Sequence, residues 1–452
     1  MNSNKKTYYF LGIGGIGMSA IARYLNVLGN NIYGYDRTQT ELTKELEQEG
    51  MKINYEDDID NIPQGIDLVI YTPAIPQDSK QLNYFKDNNI AMEKRSVALG
   101  NITKDKKTIA ISGTHGKTTI SGMISHILNN SSIGCSAFLG GISKNINSNM
   151  IYNNNSEYVV VEADEYDRSF LQLNPYISVV TAIDPDHLDI YHTYDNLHKA
   201  FEEFVSKTNI NGYTFIKRNV KIDEKYINCQ PEFYSFDDIE ANYYAWNIRI
   251  SNGSYYFDFI TPQKVYYDIK MIYPGIHNIE NAVVAMTVAL KIGVKENEIR
   301  KGIETFSGMK RRLDFHIRTK DRIFVDDYAH HPQEISTTIE SLRQMYPERH
   351  LTGIFQPHLY TRTRDLADDF GKALEKLDTI ILLPIYPARE EPIPGIRSEL
   401  ILHKINKMDK YCVTKEQLFP LLEALNPDFL ITFGAGDIDK LVEPIENLLN
   451  EQ

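Results

Sequence analysis

The sequence predicts an α/β protein of three domains, and three observations carry that prediction. At 452 residues the chain is too long to organise around one hydrophobic core. Short apolar runs alternate with amphipathic helix patterns along most of its length, as they do where helices cover parallel sheets. Two of those runs end in glycine-rich turns that open helices, the position where α/β sheets bind phosphate.

In chain order, residues 7–11, 31–35 and 67–71 read as strands of a first, Rossmann-like domain spanning 1–99, with an apolar helix from 18 to 28. A polar stretch at 101–107 marks the break. A second domain, 100–307, carries strands at 107–112, 157–161 and 177–183 around a phosphate loop. From about 213 to 273 its runs become short, aromatic and alternating, a pattern of appended antiparallel strands, and a helix follows from 278 to about 292. The asparagine-rich patch at 145–155 reads as a solvated loop. A third domain, 308–452, repeats the Rossmann-like α/β alternation with strands at 322–325, 351–355, 379–383 and 429–433.

Composition narrows the function classes. Hydrophobic residues make up 42% and charged residues 24%, and no segment approaches the ~18 consecutive apolar residues of a membrane span. A formal charge of -13 repels polyanions at long range, which argues against a nucleic-acid partner. Cys135, Cys229 and Cys412 lie far apart, in neither metal nor disulfide spacing, as suits a reducing compartment. With a polar start at residues 1–6 and no charged-then-apolar segment ahead of the first strand, a cytoplasmic location is expected.

The first loop is Gly12-Ile13-Gly14-Gly15-Ile16-Gly17. Its glycines let backbone N–H groups approach a diphosphate, and Asp36, closing the next strand, stands where a dinucleotide fold places its ribose acid. Alone, such a loop is also what a ligand-free turn looks like. The second loop, Gly113-Thr114-His115-Gly116-Lys117-Thr118-Thr119, is more specific. Lys117 can neutralise β- and γ-phosphate oxygens, Thr118 can offer its hydroxyl to Mg²⁺, and the backbone cradles the rest. A dehydrogenase would need only the first loop and a nucleotide switch only the second. Together they imply two phosphorylated ligands.

Two acid clusters end strands nearby: Glu162-Ala163-Asp164-Glu165 and Asp184-Pro185-Asp186-His187-Leu188-Asp189. Mg²⁺ prefers carboxylate, phosphate and water oxygens, so Glu162 is the stronger ligand candidate and His187 the less usual one. In the third domain, Asp326-Asp327-Tyr328-Ala329-His330-His331-Pro332 follows one strand, and a segment with His358, Arg362 and Arg364 follows another. Were that segment extended, both arginines would point the same way, and either could grip a carboxylate.

These motifs, together with His277-Asn278, Asn281, Arg311-Arg312, Glu390-Glu391-Pro392-Ile393-Pro394-Gly395 and Gly434-Ala435-Gly436-Asp437, resemble the Mur ligases over essentially the whole chain. The resemblance implies an ATP- and Mg²⁺-dependent ligase that joins L-alanine to the carboxylate of UDP-N-acetylmuramate, working on small molecules as a monomer or homodimer. A recycling ligase that attaches a whole peptide to the same sugar is the nearest alternative. Residue by residue, Gly12, Gly14, Gly15, Gly17, Asp36 and His115 would serve the UDP-sugar. Gly113, Thr114, Gly116, Lys117, Thr118, Thr119, His277, Asn278, Asn281, Arg312 and Asp327 would serve ATP. Thr118, Glu162 and His187 would hold metal. Tyr328, His330, His358 and Arg362, with Arg364 in reserve, would line the amino-acid pocket, and His330 is the candidate base beside Lys117 and His187 as catalytic groups. Leu359 stands where many relatives carry an arginine.

Overall fold

The structure, a computed structural model, describes residues 5–185, 188–251, 253–388 and 390–451, with the side chains of Leu188 and Asp189 left out. The chain divides into two compact units. One holds Met1–Ile248, Tyr256–Met271 and Ile279–Ser307; the other holds Arg249–Tyr255, Ile272–Asn278 and Gly308–Gln452. Among the described residues no helix is long and apolar enough to cross a membrane.

The first sheet joins β1 (Thr7–Leu11), β2 (Asn31–Tyr35), β3 (Lys52–Asn54), β4 (Leu68–Tyr71) and β5 (Met92–Lys94) in the order β3-β2-β1-β4-β5. All its pairings are parallel. This is the doubly wound order, whose switch point lies beside β1. The Gly12 turn therefore opens onto the ligand-binding edge. Phe10 and Leu11 on β1 are fully buried, as a central parallel strand requires.

The second sheet runs β12-β11-β10-β6-β9-β7-β8. Its strands are β6 (Lys107–Ser112), β7 (Ser136–Ser143), β8 (Ser148–Ile151), β9 (Tyr158–Glu162), β10 (Pro175–Val180), β11 (Tyr213–Lys217) and β12 (Pro231–Tyr234). β6, which carries the phosphate loop, lies between β9 and β10. Glu162, at the end of β9, and Asp184, beyond the end of β10, thus flank the loop from opposite sides. A small sheet of β13 (Tyr244–Ser251), β14 (Ser254–Ile260) and β15 (Val265–Met271) follows. Its short connections permit only antiparallel pairing.

The asparagine-rich patch corrects one expectation. It holds β8, antiparallel to β7, and Asn149 on that strand is fully buried. Arg23, 3% exposed on the helix Ile16–Val27, donates to the Asn149 side chain at 2.6 Å and to Glu45 and Glu49. Asn149 in turn donates to the Ile16 carbonyl at 2.6 Å and to the Ser19 hydroxyl at 2.9 Å. Tertiary partners thus turn a polar, loop-like sequence into a strand, and the first two sheets pack as one unit.

The other unit is built on β16 (Asp314–Arg318), β17 (Ile323–Asp327), β18 (Leu351–Phe355), β19 (Thr379–Leu382), β20 (Lys410–Cys412) and β21 (Phe429–Phe433), ordered β16-β17-β21-β18-β19-β20. Only β16 pairs antiparallel. The loops after β17, β18, β19 and β21 therefore leave from one edge, where doubly wound sheets bind ligands.

Candidate active site

The phosphate loop is stapled to the end of β10. The Thr114 amide donates to the Ala182 carbonyl at 3.0 Å, and the Thr181 hydroxyl donates to the His115 carbonyl at 2.5 Å. Gly113 adopts φ 130°, and a Cβ there would lie 2.0 Å from the Thr181 hydroxyl, so no larger residue fits. The helix Lys117–Asn129 starts directly after the loop. Its N-terminus presents N–H groups and a partial positive charge to an anion.

Lys117 is held inside this loop. Its ammonium donates to the Gly113 carbonyl at 2.6 Å and to Glu165 at 2.9 Å. Burial raises the Glu165 carboxyl above the ordinary range, and Lys117 pulls it back down. Glu165 was not singled out from sequence, although the Glu-Ala-Asp-Glu run that contains it was. Its signal was an acid three residues beyond a strand-ending acid, close in space to the loop lysine. Asn281 faces the loop as well, its side-chain oxygen 3.1 Å from where a Gly116 Cβ would be. His277 opens the helix His277–Lys291, and Asn278 is buried with its side-chain amide donating to the Pro274 carbonyl.

Glu162 pairs in register with Ile111, two residues before Gly113. Its carboxylate accepts the Gly140 amide at 3.1 Å, and a Cβ on Gly140 would lie 2.2 Å from it. Glu162 also lines a cavity of about 730 Å³ whose lining includes Gly12, Gly15 and Gly17 of the first loop, with Asp36 and Arg95. The volume suits a nucleotide-sized ligand. Arg95 bridges to Asp164 at 3.2 Å across this cavity's wall. Gly14 turns its amide to Asp36 at 2.8 Å instead of to the cavity. His115 does not line the cavity: it sits exposed on the phosphate loop, 3.5 Å from Asp184. Asp186 and His187 lie outside the described residues.

Mg²⁺ at a phosphate loop takes few protein ligands and fills its octahedron with phosphate and water. A strand-end carboxylate and a loop threonine fit that habit. Among the described residues no group of three or more His, Cys, Asp or Glu could hold an ion without a phosphate.

In the other unit the residues after β17 and β18 converge. The Tyr328 and His330 rings lie 5.2 Å apart, His330 and His358 6.1 Å, and the Arg362 guanidinium is 3.4 Å from His358 Nδ1. His330 donates through Nδ1 to the Tyr328 carbonyl at 3.0 Å, which leaves Nε2 as its basic nitrogen. Burial lowers its pKa, with Glu334 opposing, which favours the neutral ring. The segment carrying the arginines is a helix, Tyr360–Asp365, and is not extended. Residues two apart on a helix point about 200° apart. Arg362 accordingly turns to His358, whereas Arg364 is exposed and paired with Asp365 at 2.6 Å.

Arg312 leaves its side chain in solvent while its carbonyl takes the Tyr273 hydroxyl at 2.7 Å. Asp327 is buried, and its oxygens accept the Leu313 and Ala329 amides at 2.7 and 2.8 Å. Burial pushes its carboxyl up to about 7. Its neighbours Arg311 and Leu313 both sit at positive φ, 61° and 44°, so Asp327 pins a strained stretch of chain.

Comparison with known proteins decides the family. Residues 7–107 match the Mur ligase family catalytic domain, 111–289 the Mur ligase middle domain, and 311–436 the Mur ligase glutamate ligase domain. The chain belongs to the Mur ligase family. UDP-N-acetylmuramate--L-alanine ligase of Parabacteroides distasonis is 45% identical, over 100% of this chain and 99% of its own. The enzyme of that name from Phocaeicola vulgatus is 44% identical over 99% of both. Among solved structures, UDP-N-acetylmuramate-alanine ligase of Thermotoga maritima superposes with a TM-score of 0.84 at 26% identity, covering 99% of this Mur ligase and 100% of the other chain. A murein peptide ligase from Psychrobacter arcticus shares the fold, with a TM-score of 0.70 at 21% identity over 99% of both chains.

Proposed function

We propose that this Mur ligase joins L-alanine to the carboxylate of UDP-N-acetylmuramate in peptidoglycan precursor synthesis, consuming ATP. The observation that carries the reading is the single cavity linking the Gly12–Gly17 loop to Glu162, beside the phosphate loop. A sugar nucleotide held at one end by its diphosphate would bring its carboxylate toward the other end, where ATP is bound.

A carboxylate is a poor acyl donor, because attack by an amine would have to expel oxide. Transfer of the γ-phosphoryl group makes an acyl phosphate, and the amine then displaces phosphate to leave an amide, ADP and phosphate. Lys117 meets the negative charge that builds on the transferring phosphoryl oxygens. Thr118 and Glu162 are the residues that would hold Mg²⁺, with His187 for a second ion. Bound there, Mg²⁺ would neutralise charge shared between phosphate and carboxylate oxygens. Asn281, His277 and Asn278 would serve the adenosine end of ATP, with Arg312 and, through the chain it pins, Asp327. Asp36 and the first loop would serve the UDP-sugar.

L-Alanine arrives as an ammonium carboxylate. Arg362 would take the carboxylate in a bidentate grip, within a wall of Tyr328 and His358. His330 Nε2 would accept the proton that the ammonium must lose before attack. The test is phosphate release with Mg-ATP and UDP-N-acetylmuramate across the twenty amino acids and a cell-wall tripeptide. Release that requires all three substrates and is greatest with L-alanine is expected. Release greatest with the tripeptide would make this a recycling ligase instead.

A further inference from the structure

We propose that Glu390 is a positioning residue of the amino-acid site: it holds the short helix that carries Arg362 in place without touching the amino acid. The inference rests on the reading that this pocket receives the amine substrate.

β18 and β19 are parallel neighbours, and their ladder continues past the strand ends into two loops. Leu383 donates to the Phe355 carbonyl at 3.0 Å, Tyr386 to that of Pro357 at 2.8 Å, and Leu359 to that of Tyr386 at 3.0 Å. His358 and Tyr386 stack, with centroids 5.8 Å apart and planes at 21°. The backbone and the ring of His358 are thus both registered on the loop after β19. At the end of this zipper the Glu390 carboxylate accepts the Thr361 amide at 3.1 Å and the Thr361 hydroxyl at 2.5 Å. The Tyr360 amide also faces it, and these donors hold the Glu390 carboxyl below its ordinary range, the hydroxyl foremost.

The helix Tyr360–Asp365 has six residues, too few to persist on its own, and its first N–H groups lack helical partners. Its cap position is Leu359, whose side chain makes no capping bond and whose backbone sits at φ 71°. A non-glycine residue there is strained and persists only where its surroundings impose it. Ala388, in the facing loop, is likewise at φ 51°. Glu390, 29 residues from Thr361 in sequence, supplies the cap that Leu359 cannot. The carboxylate therefore fixes the pitch of the helix on which Arg362 stands, 3.4 Å from His358.

The experiment measures KM for each substrate and kcat in Glu390→Ala, Glu390→Asp and Thr361→Val, with thermal melting as a control for folding. Thr361→Val removes only the hydroxyl donor and carries the test if Glu390→Ala does not fold. The expected result is an amine KM raised at least about tenfold in Glu390→Ala and several-fold in Thr361→Val, with ATP and sugar-nucleotide KM within about twofold. Glu390→Asp, which keeps a carboxylate, restores part of the loss. In a Glu390→Ala, Arg362→Lys double variant the two KM effects are less than additive, because both act through one guanidinium. A uniform rise in all three KM values, or an unchanged amine KM in folded variants, overturns the proposal. Should the parent enzyme prefer an amine other than L-alanine, the functional reading fails, and the same KM split measured with the preferred amine still decides the role of Glu390.

Discussion

The Lys117 ammonium lies 2.9 Å from the Glu165 carboxylate, inside the phosphate loop and nearly closed off from solvent. If phosphoryl charge develops beside it, as proposed, a cation already so placed needs little reorganisation during the reaction. Replacing Lys117 with Ala should lower kcat about 100- to 1000-fold, the usual loss for one charge partner of a transition state. Glu165→Gln should move kcat the same way by a smaller factor, about tenfold. Steady-state turnover, with circular dichroism to verify folding, checks both; near-normal turnover in folded Lys117→Ala rejects the role.

Glu162 reaches its position because Gly140 leaves room for it. A methyl group on Gly140 would overlap the carboxylate and push it from the strand end, so Gly140→Ala should mimic Glu162→Ala. Both should raise the Mg²⁺ concentration needed for half-maximal activity. Magnesium titrations that superimpose on the parent curve would show that Glu162 is structural.

Arg362 and Arg364 separate cleanly in space, and the prediction follows that separation. An unpaired carboxylate in a closed pocket costs several kcal/mol, about the worth of the charge partner it lacks. Arg362→Lys should raise KM for L-alanine at least about tenfold, since an ammonium cannot offer the bidentate fork. Arg364→Lys should leave it unchanged. The reverse pattern would move the carboxylate clamp to the solvent side of the helix.

His330 must be neutral to accept a proton, and burial lowers its pKa from the ordinary 6.5. Activity should therefore fall on the acid side only below that value, as the ring becomes protonated. Glu334 favours the charged ring, so Glu334→Gln should move this acid limb to still lower pH. A limb that stays in place, or one that moves upward, would assign it to another group.

Much of this fold was legible in the sequence. Buried parallel strands such as Thr7–Leu11, Lys107–Ser112, Leu351–Phe355 and Phe429–Phe433 read correctly to the residue because they are short continuous apolar runs. Edge strands such as Lys52–Asn54 and Lys410–Cys412 did not read at all, having three residues each and little apolar content. β8 was hidden for another reason: its polar Asn149 is paid for by partners more than a hundred residues away, which no local pattern reports. At the site, loop chemistry drew attention to Lys117 and Glu162, and Glu165 and Glu390 stood in quoted motifs, but what those two hold, Lys117 and Thr361, emerges only from packing. The divergence of Arg362 and Arg364 turned on whether six residues coil, and a distant carboxylate settles that.

The Arg23 cluster has a consequence for how the protein melts. Separating the first sheet from the second would leave the Arg23 ion pairs with Glu45 and Glu49 intact but break the three hydrogen bonds that Asn149 makes with Arg23, Ile16 and Ser19. Each such buried bond is worth about 1–3 kcal/mol, so three together are a large share of a typical domain's stability. The two sheets are thereby coupled into one cooperative block, and calorimetry should record their loss as a single heat-absorption peak. Asn149→Leu, which removes all three bonds, should split that peak in two.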